Sequence, residues 1–160
     1  MSVENDAGLA PNKLAGVSVE DFVLLDVDGL RAADDPDAHF DAVCETAVFP
    51  SLSLPFAGIC VLESGTKVEI KSCLNRYTSG CRGRFYFRPE QHDALLEDGG
   101  SYLFAVCRRE RGEREVLATK IVPASLVDEL IPEWFEGGDG RSAYAQLAWS
   151  RIFHPTEVPR

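Results

Sequence analysis

The 160-residue sequence has no long hydrophobic run and no secretion signal at its start. A membrane-spanning helix needs about 18 or more consecutive apolar residues, and a signal peptide combines a basic segment, an apolar segment and a small-residue cleavage site. Because neither pattern occurs, we expect a soluble cytoplasmic protein without membrane contact. The sequence also lacks P-loop, GxGxxG, HExxH and GxSxG motifs, which excludes the common nucleotide-binding, zinc-protease and serine-hydrolase classes.

Lysine is scarce in this sequence. Four of the 16 basic residues are lysines, 26 residues are acidic, and the net charge is −10. An acidic balance with arginine in excess of lysine favours a halophilic protein that stays soluble in concentrated salt. An ordinary acidic cytosolic protein is the alternative. The chain length and a hydrophobic content of 45% suit one packed domain.

The five cysteines contain no Cys-x-x-Cys pair. Cys44, Cys60 and Cys107 lie in apolar runs, as buried free thiols do. Cys73 and Cys81 flank a loop, so a zinc site that they share with Cys60 is the alternative. Structural zinc sites usually have short ligand spacings, which these positions do not show.

Among the patterns that are present, the alternating strand at residues 66–73 is the most informative. Val68 and Ile70 point to one face of this strand, and Glu69 and Lys71 point to the other. Side chains two residues apart on one strand face lie about 6–7 Å apart. A carboxylate is a hard oxygen ligand for Mg²⁺, and a neighbouring lysine can orient water and neutralise charge on a phosphate. An ordinary solvated strand face is the alternative interpretation.

The segments around this strand come in an informative order. Residues 56–62 form an apolar run, and residues 63–66 have the pattern of a turn, so the two runs predict a β-hairpin. An alternating strand at residues 82–88 follows, then a helix that starts at Pro89 and a buried strand at residues 102–106.

Glu-x-Lys on a strand in this order resembles the PD-(D/E)xK motif of restriction-endonuclease-like nucleases. The resemblance covers roughly residues 37–122. It implies an α/β fold with a mixed central β-sheet flanked by helices, and Mg²⁺-dependent phosphodiester hydrolysis in which Mn²⁺ can substitute. In that family Glu69 and Lys71 would be catalytic, and Glu69 would bind the metal.

The family's pattern also includes an aspartate on the hairpin strand that faces Glu-x-Lys. No Asp or Glu occurs in residues 46–62, which we expect to form that strand. Either the second acid has migrated or the site is inactive. Glu45, on a helix predicted before the hairpin, is the preferred second metal ligand. Glu63 at the turn is the other candidate, and a turn position is typical of a solvated residue.

A basic island surrounds the Glu-x-Lys strand. Residues 67–88 contain six bases and one acid, whereas the rest of the chain sums to −15. This contrast predicts contact with a phosphate backbone; salt bridges to acids elsewhere in the chain are the alternative. Tyr77 could stack on a base in the flexible loop after the strand, and Gln91 lies where some family members carry a helical glutamine. The predicted nucleic-acid contacts, with DNA favoured, are Lys67, Arg76, Tyr77, Arg82, Arg84, Arg88 and Gln91.

The domain organisation predicted from these patterns is simple. Residues 1–17 are polar and aperiodic, as in a loose N-terminal arm, and residues 18–160 form a single domain. Helical spacing predicts a helix at residues 34–47, which begins with aspartates. Residues 123–160 predict a helical cover that ends in an aromatic helix at residues 144–153. The aromatic residues would cover the sheet, or alternatively form a homodimer interface.

These observations leave two kinds of function open. The first is a nucleic-acid-interacting, Mg²⁺-dependent nuclease with a degenerate or migrated active site. The second is a catalytically inactive nuclease-fold module that binds nucleic acid or serves as a protein-interaction accessory.

Overall fold

The structure is a computed structural model that describes residues 19–21, 23, 24, 27, 29–34, 39–45, 57 and 62–159. The predicted N-terminal arm lies outside these residues. The chain order of strands, helices and 3₁₀ turns is β1 (Leu30–Ala32), β2 (Ala42–Cys44), β3 (Lys67–Leu74), β4 (Arg84–Phe87), α1 (Pro89–Glu97), β5 (Ser101–Glu110), β6 (Glu113–Pro123), α2 (Ala124–Leu130), β7 (Ala145–Ala148), and 3₁₀ turns at Trp149–Arg151 and Pro155–Glu157. Residues 19–21, 23 and 24 are also helical, and we call them the N-terminal helical segment.

A mixed five-stranded sheet organises the molecule, with strand order β1-β2-β3-β5-β6. Strands β3 and β5 are parallel, and the other neighbours are antiparallel. A parallel pair needs a crossover, which here contains β4 and α1. The structure confirms the α/β restriction-endonuclease-like architecture expected from the sequence.

The two faces of the sheet carry separate hydrophobic cores. Val68 and Ile70 of β3 pack with Val19, Val23 and other residues on one face. The opposite face packs against α1, α2, β4 and β7. The alternation predicted for β3 is therefore confirmed, because Glu69 and Lys71 share the face opposite Val68 and Ile70.

Most elements from β4 to α2 match the sequence predictions. Strand β4 buries Phe85 and Phe87 and exposes Arg84 and Tyr86. Helix α1 begins with Pro89 as predicted, and α2 is a helix within the region at residues 123–160 for which a helical cover was predicted. Local patterns are sufficient here because one face of each element is buried.

The predicted helix at residues 34–47 is wrong. Residues 42–44 form β2, in which Ala42 and Cys44 are buried and Val43 is half-buried. This is a period of two, and it pairs with β1 and β3. The apolar residues at helical spacing also fit this alternation. Pairing with neighbouring strands of the sheet makes the segment a strand rather than a helix.

The hairpin partner predicted for β3, residues 56–62, lies mostly outside the described residues. Among the described residues, the antiparallel neighbour of β3 is β2. Of residues 56–62 the structure describes Ala57 and Leu62, and the Ala57 amide donates to the carbonyl of Thr119 in β6 (2.7 Å), at the other side of the sheet. The predicted turn is present, since Thr66 donates its amide to the Glu63 carbonyl (3.1 Å).

The aromatic helix predicted at residues 144–153 is a strand followed by a 3₁₀ turn. Strand β7 pairs with β4 in a separate two-stranded ribbon whose inner face is buried. Gly83, just before β4, lies against Leu74, and a Cβ there would stand 1.7 Å from the Leu74 carbonyl oxygen. This close backbone approach connects the ribbon to the end of β3.

Within the part of the chain that the structure describes, no helix is both long enough and apolar enough to span a bilayer.

Candidate active site

Asp41 lies beside Glu69, at the place where the sequence appeared to lack an acid. Ala42 pairs with Val68 in the β2–β3 ladder, so the next position of the register sets Asp41 opposite Glu69. The Asp41 amide donates to the Val68 carbonyl (2.8 Å), and the Ile70 amide donates to Asp41 Oδ2 (2.6 Å). These two bonds fix both the backbone and the carboxyl group of Asp41 against β3.

A third carboxyl group comes from the N-terminal helical segment. The side chain of Glu20 is hydrogen-bonded to Asp41, and Asp41 is also hydrogen-bonded to Glu69. Val19 and Val23, which flank Glu20, are buried in the core under β3. The segment therefore packs through its valines and holds Glu20 at the edge of the sheet. We call Glu20, Asp41 and Glu69 the carboxyl cluster.

The carboxyl cluster resists ionisation. Burial, together with the neighbouring Asp41, raises the pKa of both Glu20 and Glu69 to about 7. Burial also raises the pKa of Asp41, although the Ile70 amide and Lys71 favour its charged form. Three close carboxyl groups out of water cannot all be charged at low cost. Near neutral pH the cluster therefore retains protons that exposed carboxyl groups would have released.

Lys71 supplies the positive charge at this site. Its Nζ lies 3.3 Å from Glu69 Oε1, and both side chains are largely shielded from water. The ammonium also stands 5.9 Å from the centre of the Phe87 ring, which borders the site from β4. The alternation of β3 thus places a carboxylate and an ammonium side by side in one partly enclosed site.

The two acids favoured from the sequence lie elsewhere. Glu45 is one residue beyond β2, and the register places it near the turn that precedes β3 rather than near Glu69. Its Oε1 is 3.0 Å from Arg31 Nε, in an exposed ion pair. Glu63 is an exposed turn residue. The structure therefore places Asp41, not Glu45 or Glu63, beside Glu69.

The basic island divides into paired and unpaired residues. Lys67 is paired with Asp98 at 2.9 Å, and Lys71 with Glu69. Four exposed arginines form no ion pair with any described residue: Arg76, Arg82, Arg84 and Arg88. Salt bridging to described residues thus accounts for Lys67 and Lys71 but not for these four arginines.

The loop between β3 and β4 is an ordered hairpin. Arg76 pairs with Arg82 across it, and Arg76 Nη1 donates to the Gly80 carbonyl (2.7 Å). The ring of Tyr77 is exposed, and its hydroxyl accepts a hydrogen bond from the Arg84 amide (3.1 Å). Arg82 lies over the ring of Trp149 (5.2 Å). The structure thus holds in place the loop that the composition suggested was flexible.

A cleft of about 860 Å³ lies beside this hairpin, lined by Asn75, Arg76, Arg82, Trp149 and residues near the end of the described chain. Asn75 is six residues from Glu69, which corresponds to about 20 Å along an extended strand. The cleft is therefore separate from the carboxyl cluster.

Gln91 and His92 differ in position although they are neighbours on α1. Gln91 is half-buried at the surface, while His92 is completely buried. His92 Nδ1 lies 2.8 Å from the Tyr102 hydroxyl, and His92 Nε2 lies 2.9 Å from Asp128 Oδ1. Tyr102 is the partner of Glu69 in the β3–β5 ladder. This network ties α1 and α2 to the strand beside Glu69.

We expect His92→Ala to lower the free energy of unfolding by about 2–4 kcal/mol, because it leaves a cavity and removes the hydrogen-bond partner of the buried Tyr102 hydroxyl. Urea denaturation measures this loss. Gln91→Ala, at the next position of the same helix, is the matched control and should change stability by less than about 1 kcal/mol. Equal effects of the two substitutions would show that the network does not stabilise the fold.

The cysteines that the structure describes do not make a ready zinc site. Cys44, Cys73 and Cys107 are buried, and Cys81 is exposed. Burial raises the pKa of the Cys73 thiol strongly, and that of Cys107 to about 11, which opposes the thiolate form that binds metal. Cys60 lies outside the described residues.

The donor chemistry of the carboxyl cluster fits a hard divalent cation. Glu20, Asp41 and Glu69 offer carboxylate oxygens, the ligands that Mg²⁺ prefers. Among the described residues, no three Asp, Glu, His or Cys side chains are already spread around one point as metal ligands. The carboxyl groups instead hydrogen-bond to one another, as acids that share protons do, and a cation would replace those protons.

Comparison with known proteins identifies the family of the chain. The family model for the PD-(D/E)XK nuclease superfamily domain matches residues 8–154. No curated protein matches the chain, and no solved structure matches it either. Nucleases of the matched superfamily typically use divalent metals. With its family match across most of the chain and its mixed sheet of the restriction-endonuclease-like type, the chain belongs to the PD-(D/E)XK nuclease superfamily.

Proposed function

We propose that the protein is an Mg²⁺-dependent nuclease that hydrolyses phosphodiester bonds in nucleic acid, with DNA as the favoured polymer. The observation that carries the proposal is the position of Asp41, which supplies the acid on the strand facing Glu69 and Lys71. We assign this acid in place of Glu45. With Asp41 the site contains both halves of the motif, so the proposal is an active site rather than a degenerate one.

In this proposal each residue has a distinct task. Asp41 and Glu69 would hold the metal, and Glu20 of the N-terminal helical segment would complete the set of carboxylates. When bound, Mg²⁺ neutralises charge on the phosphate and lowers the pKa of water. Lys71, anchored by Glu69 at 3.3 Å, holds its ammonium toward the phosphate oxygens and the attacking water.

The unpaired arginines support a polyanionic substrate. Arg84 is the first residue of β4, Arg88 directly follows the strand, and the Phe87 ring centre lies 5.9 Å from the Lys71 ammonium. In a chain of net charge −10, exposed arginines that have no acidic partner among the described residues can hold phosphates. They would position the backbone, while the carboxyl cluster and Lys71 act on one phosphodiester bond.

The test is cleavage of single- and double-stranded DNA and RNA by the purified full chain with Mg²⁺ or Mn²⁺, over a wide range of KCl. The range of KCl is needed because acidic self-repulsion destabilises the fold in dilute salt. We expect cleavage that EDTA abolishes and added Mg²⁺ restores. Binding without cleavage at every salt concentration would contradict the nuclease proposal and identify an inactive binding module.

Cleavage at limiting Mg²⁺ should rise as the pH increases from about 6 to 8. The pKa of Glu20 and of Glu69 is about 7, so protons occupy the metal-binding oxygens below this pH and leave above it. Rates measured at several Mg²⁺ concentrations check this. Higher Mg²⁺ should move the midpoint to lower pH, because the cation competes with the protons. A profile that is flat across this interval would contradict the assignment of the carboxyl cluster.

A further inference from the structure

The outer face of the β4–β7 ribbon carries a row of three neighbouring aromatic rings, of which two are stacked and the third is tilted. The rings of Tyr86 and Tyr144 are nearly parallel, with centres 5.2 Å apart and an angle of 9° between their planes. Phe135, which pairs with Tyr144, continues the row at 5.5 Å. Tyr86 is 40% exposed and Phe135 is 43% exposed. We call Tyr86, Tyr144 and Phe135 the aromatic row.

Positive charge accompanies the aromatic row. Arg88 lies over the Tyr86 ring, with its Cζ 5.7 Å from the ring centre, and Arg84 is on the same face of β4. Neither arginine has an acidic partner among the described residues. Rings beside unpaired guanidinium groups suit a ligand that offers both flat apolar surfaces and negative charge.

The aromatic row and Lys71 lie on opposite faces of the β4–β7 ribbon. Tyr86 and Arg88 are the sequence neighbours of Phe87, whose ring lies on the inner face of the ribbon with its centre 5.9 Å from the Lys71 ammonium. A nucleic-acid chain with a phosphate at Lys71 would pass round the edge of the ribbon to reach the row.

We propose that the aromatic row stacks on unpaired bases, and that the substrate is single-stranded nucleic acid or a single-stranded end of a duplex. Inside a duplex both faces of each base are covered by neighbouring bases, so only unpaired bases can stack on a protein ring. Arg84 and Arg88 hold the phosphates that join these bases. This inference rests on the proposed nuclease function for the direction of the strand toward Lys71.

The experiment measures binding in EDTA, by fluorescence anisotropy, to a labelled single-stranded oligonucleotide, the same strand with abasic sites, and a blunt duplex. Tyr86→Ala should weaken binding to the intact single strand by roughly tenfold or more, since each base–aromatic stack has about this effect. Affinity for the abasic strand and the blunt duplex should change by less than about twofold. Matched DNA and RNA strands show which polymer is preferred.

Tyr86→Phe is the matched control, and it should bind like the wild type because stacking does not need the hydroxyl. Phe135→Leu provides a second, independent disruption of the row and should also weaken binding to the intact strand only. Equal weakening for intact and abasic strands would overturn the stacking proposal. So would unchanged binding together with loss of a homodimer in sedimentation, which would make the row a dimer interface.

A Glu69→Gln variant separates this inference from the proposed catalysis. It should bind the single strand like the wild type, even though we expect it not to cleave. Absence of cleavage by the wild type, combined with the Tyr86→Ala defect, would reject the nuclease proposal and leave the stacking site standing. Full cleavage by the wild type, combined with normal binding by Tyr86→Ala, would reject the stacking site and leave the nuclease proposal standing.

Discussion

Cleavage by the Asp41→Asn variant should fall by about a thousandfold or more, corresponding to roughly 4 kcal/mol of lost transition-state stabilisation. Asparagine keeps the oxygen that accepts the Ile70 amide hydrogen bond, so the local backbone should stay in place. It removes the negative charge that the metal requires. Single-turnover cleavage at saturating Mg²⁺ measures the loss, and thermal unfolding verifies that the variant is folded.

Glu45→Gln is the matched control for this prediction. It changes a carboxylate four residues away, at the end of β2, whose partner is Arg31. We expect its cleavage rate to stay within about twofold of the wild type, since an exposed ion pair contributes little. If Glu45→Gln abolished cleavage and Asp41→Asn did not, our assignment would be wrong, and the migrated acid would be Glu45 after all.

The sequence was sufficient to identify the half of the site that lies on one strand. Glu69 and Lys71 belong to a strand with clean alternation, and the faces of such a strand follow from local geometry. The β4 alternation and the start of α1 at Pro89 are equally local. These signals depend only on residues within one turn or one strand, so tertiary packing did not change them.

The other half of the site depends on pairing between distant segments. Asp41 precedes a strand of three residues, too short for a period of two to be distinguished from helical spacing. Residues 56–62 are a longer apolar run and were the natural partner by proximity. The clue that could have been used is Asp41 itself, an acid immediately before the apolar run Ala42–Cys44.

Glu20 was harder still to predict. Its segment has no distinctive pattern, and its role depends on a helix packing through Val19 and Val23 under β3. Likewise, Tyr144–Phe153 has helical spacing, but pairing with β4 makes its first part a strand. In both cases long-range contacts, not local propensity, decide the outcome.

The carboxyl cluster should destabilise the fold above neutral pH, so Glu69→Gln should be more stable than the wild type at pH 8. Burial raises the pKa of Glu69 to about 7 in the folded protein, from an ordinary value of 4.5. Between these two values the folded state holds a proton that the unfolded state has released. The contribution of Glu69 to the free energy of unfolding therefore falls as the pH rises from about 4.5 to 7. Above pH 7 the full cost of burying its charged form remains.

Glutamine stays neutral, so the variant avoids this penalty. The attraction to Lys71 lowers the pKa of Glu69 and offsets part of the effect of burial, so the raised pKa is already a net value. We expect a gain on the order of 2 kcal/mol at pH 8 and almost none near pH 4.5. For a chain of this size the gain corresponds to a rise of roughly 4–8 °C in Tm.

Thermal unfolding of both proteins across this pH range, in KCl and EDTA, measures the gain. Glu45→Gln should leave the wild-type pH dependence unchanged, because Glu45 is outside the cluster and exposed. Added Mg²⁺ should raise the Tm of the wild type at pH 8 more than that of Glu69→Gln, since a cation bound only by the folded state stabilises it. A variant less stable than the wild type at pH 8 would mean that Glu69 is stabilised by its surroundings as a charged group. The cluster would then be a structural ion-pair network rather than the cation site that we propose.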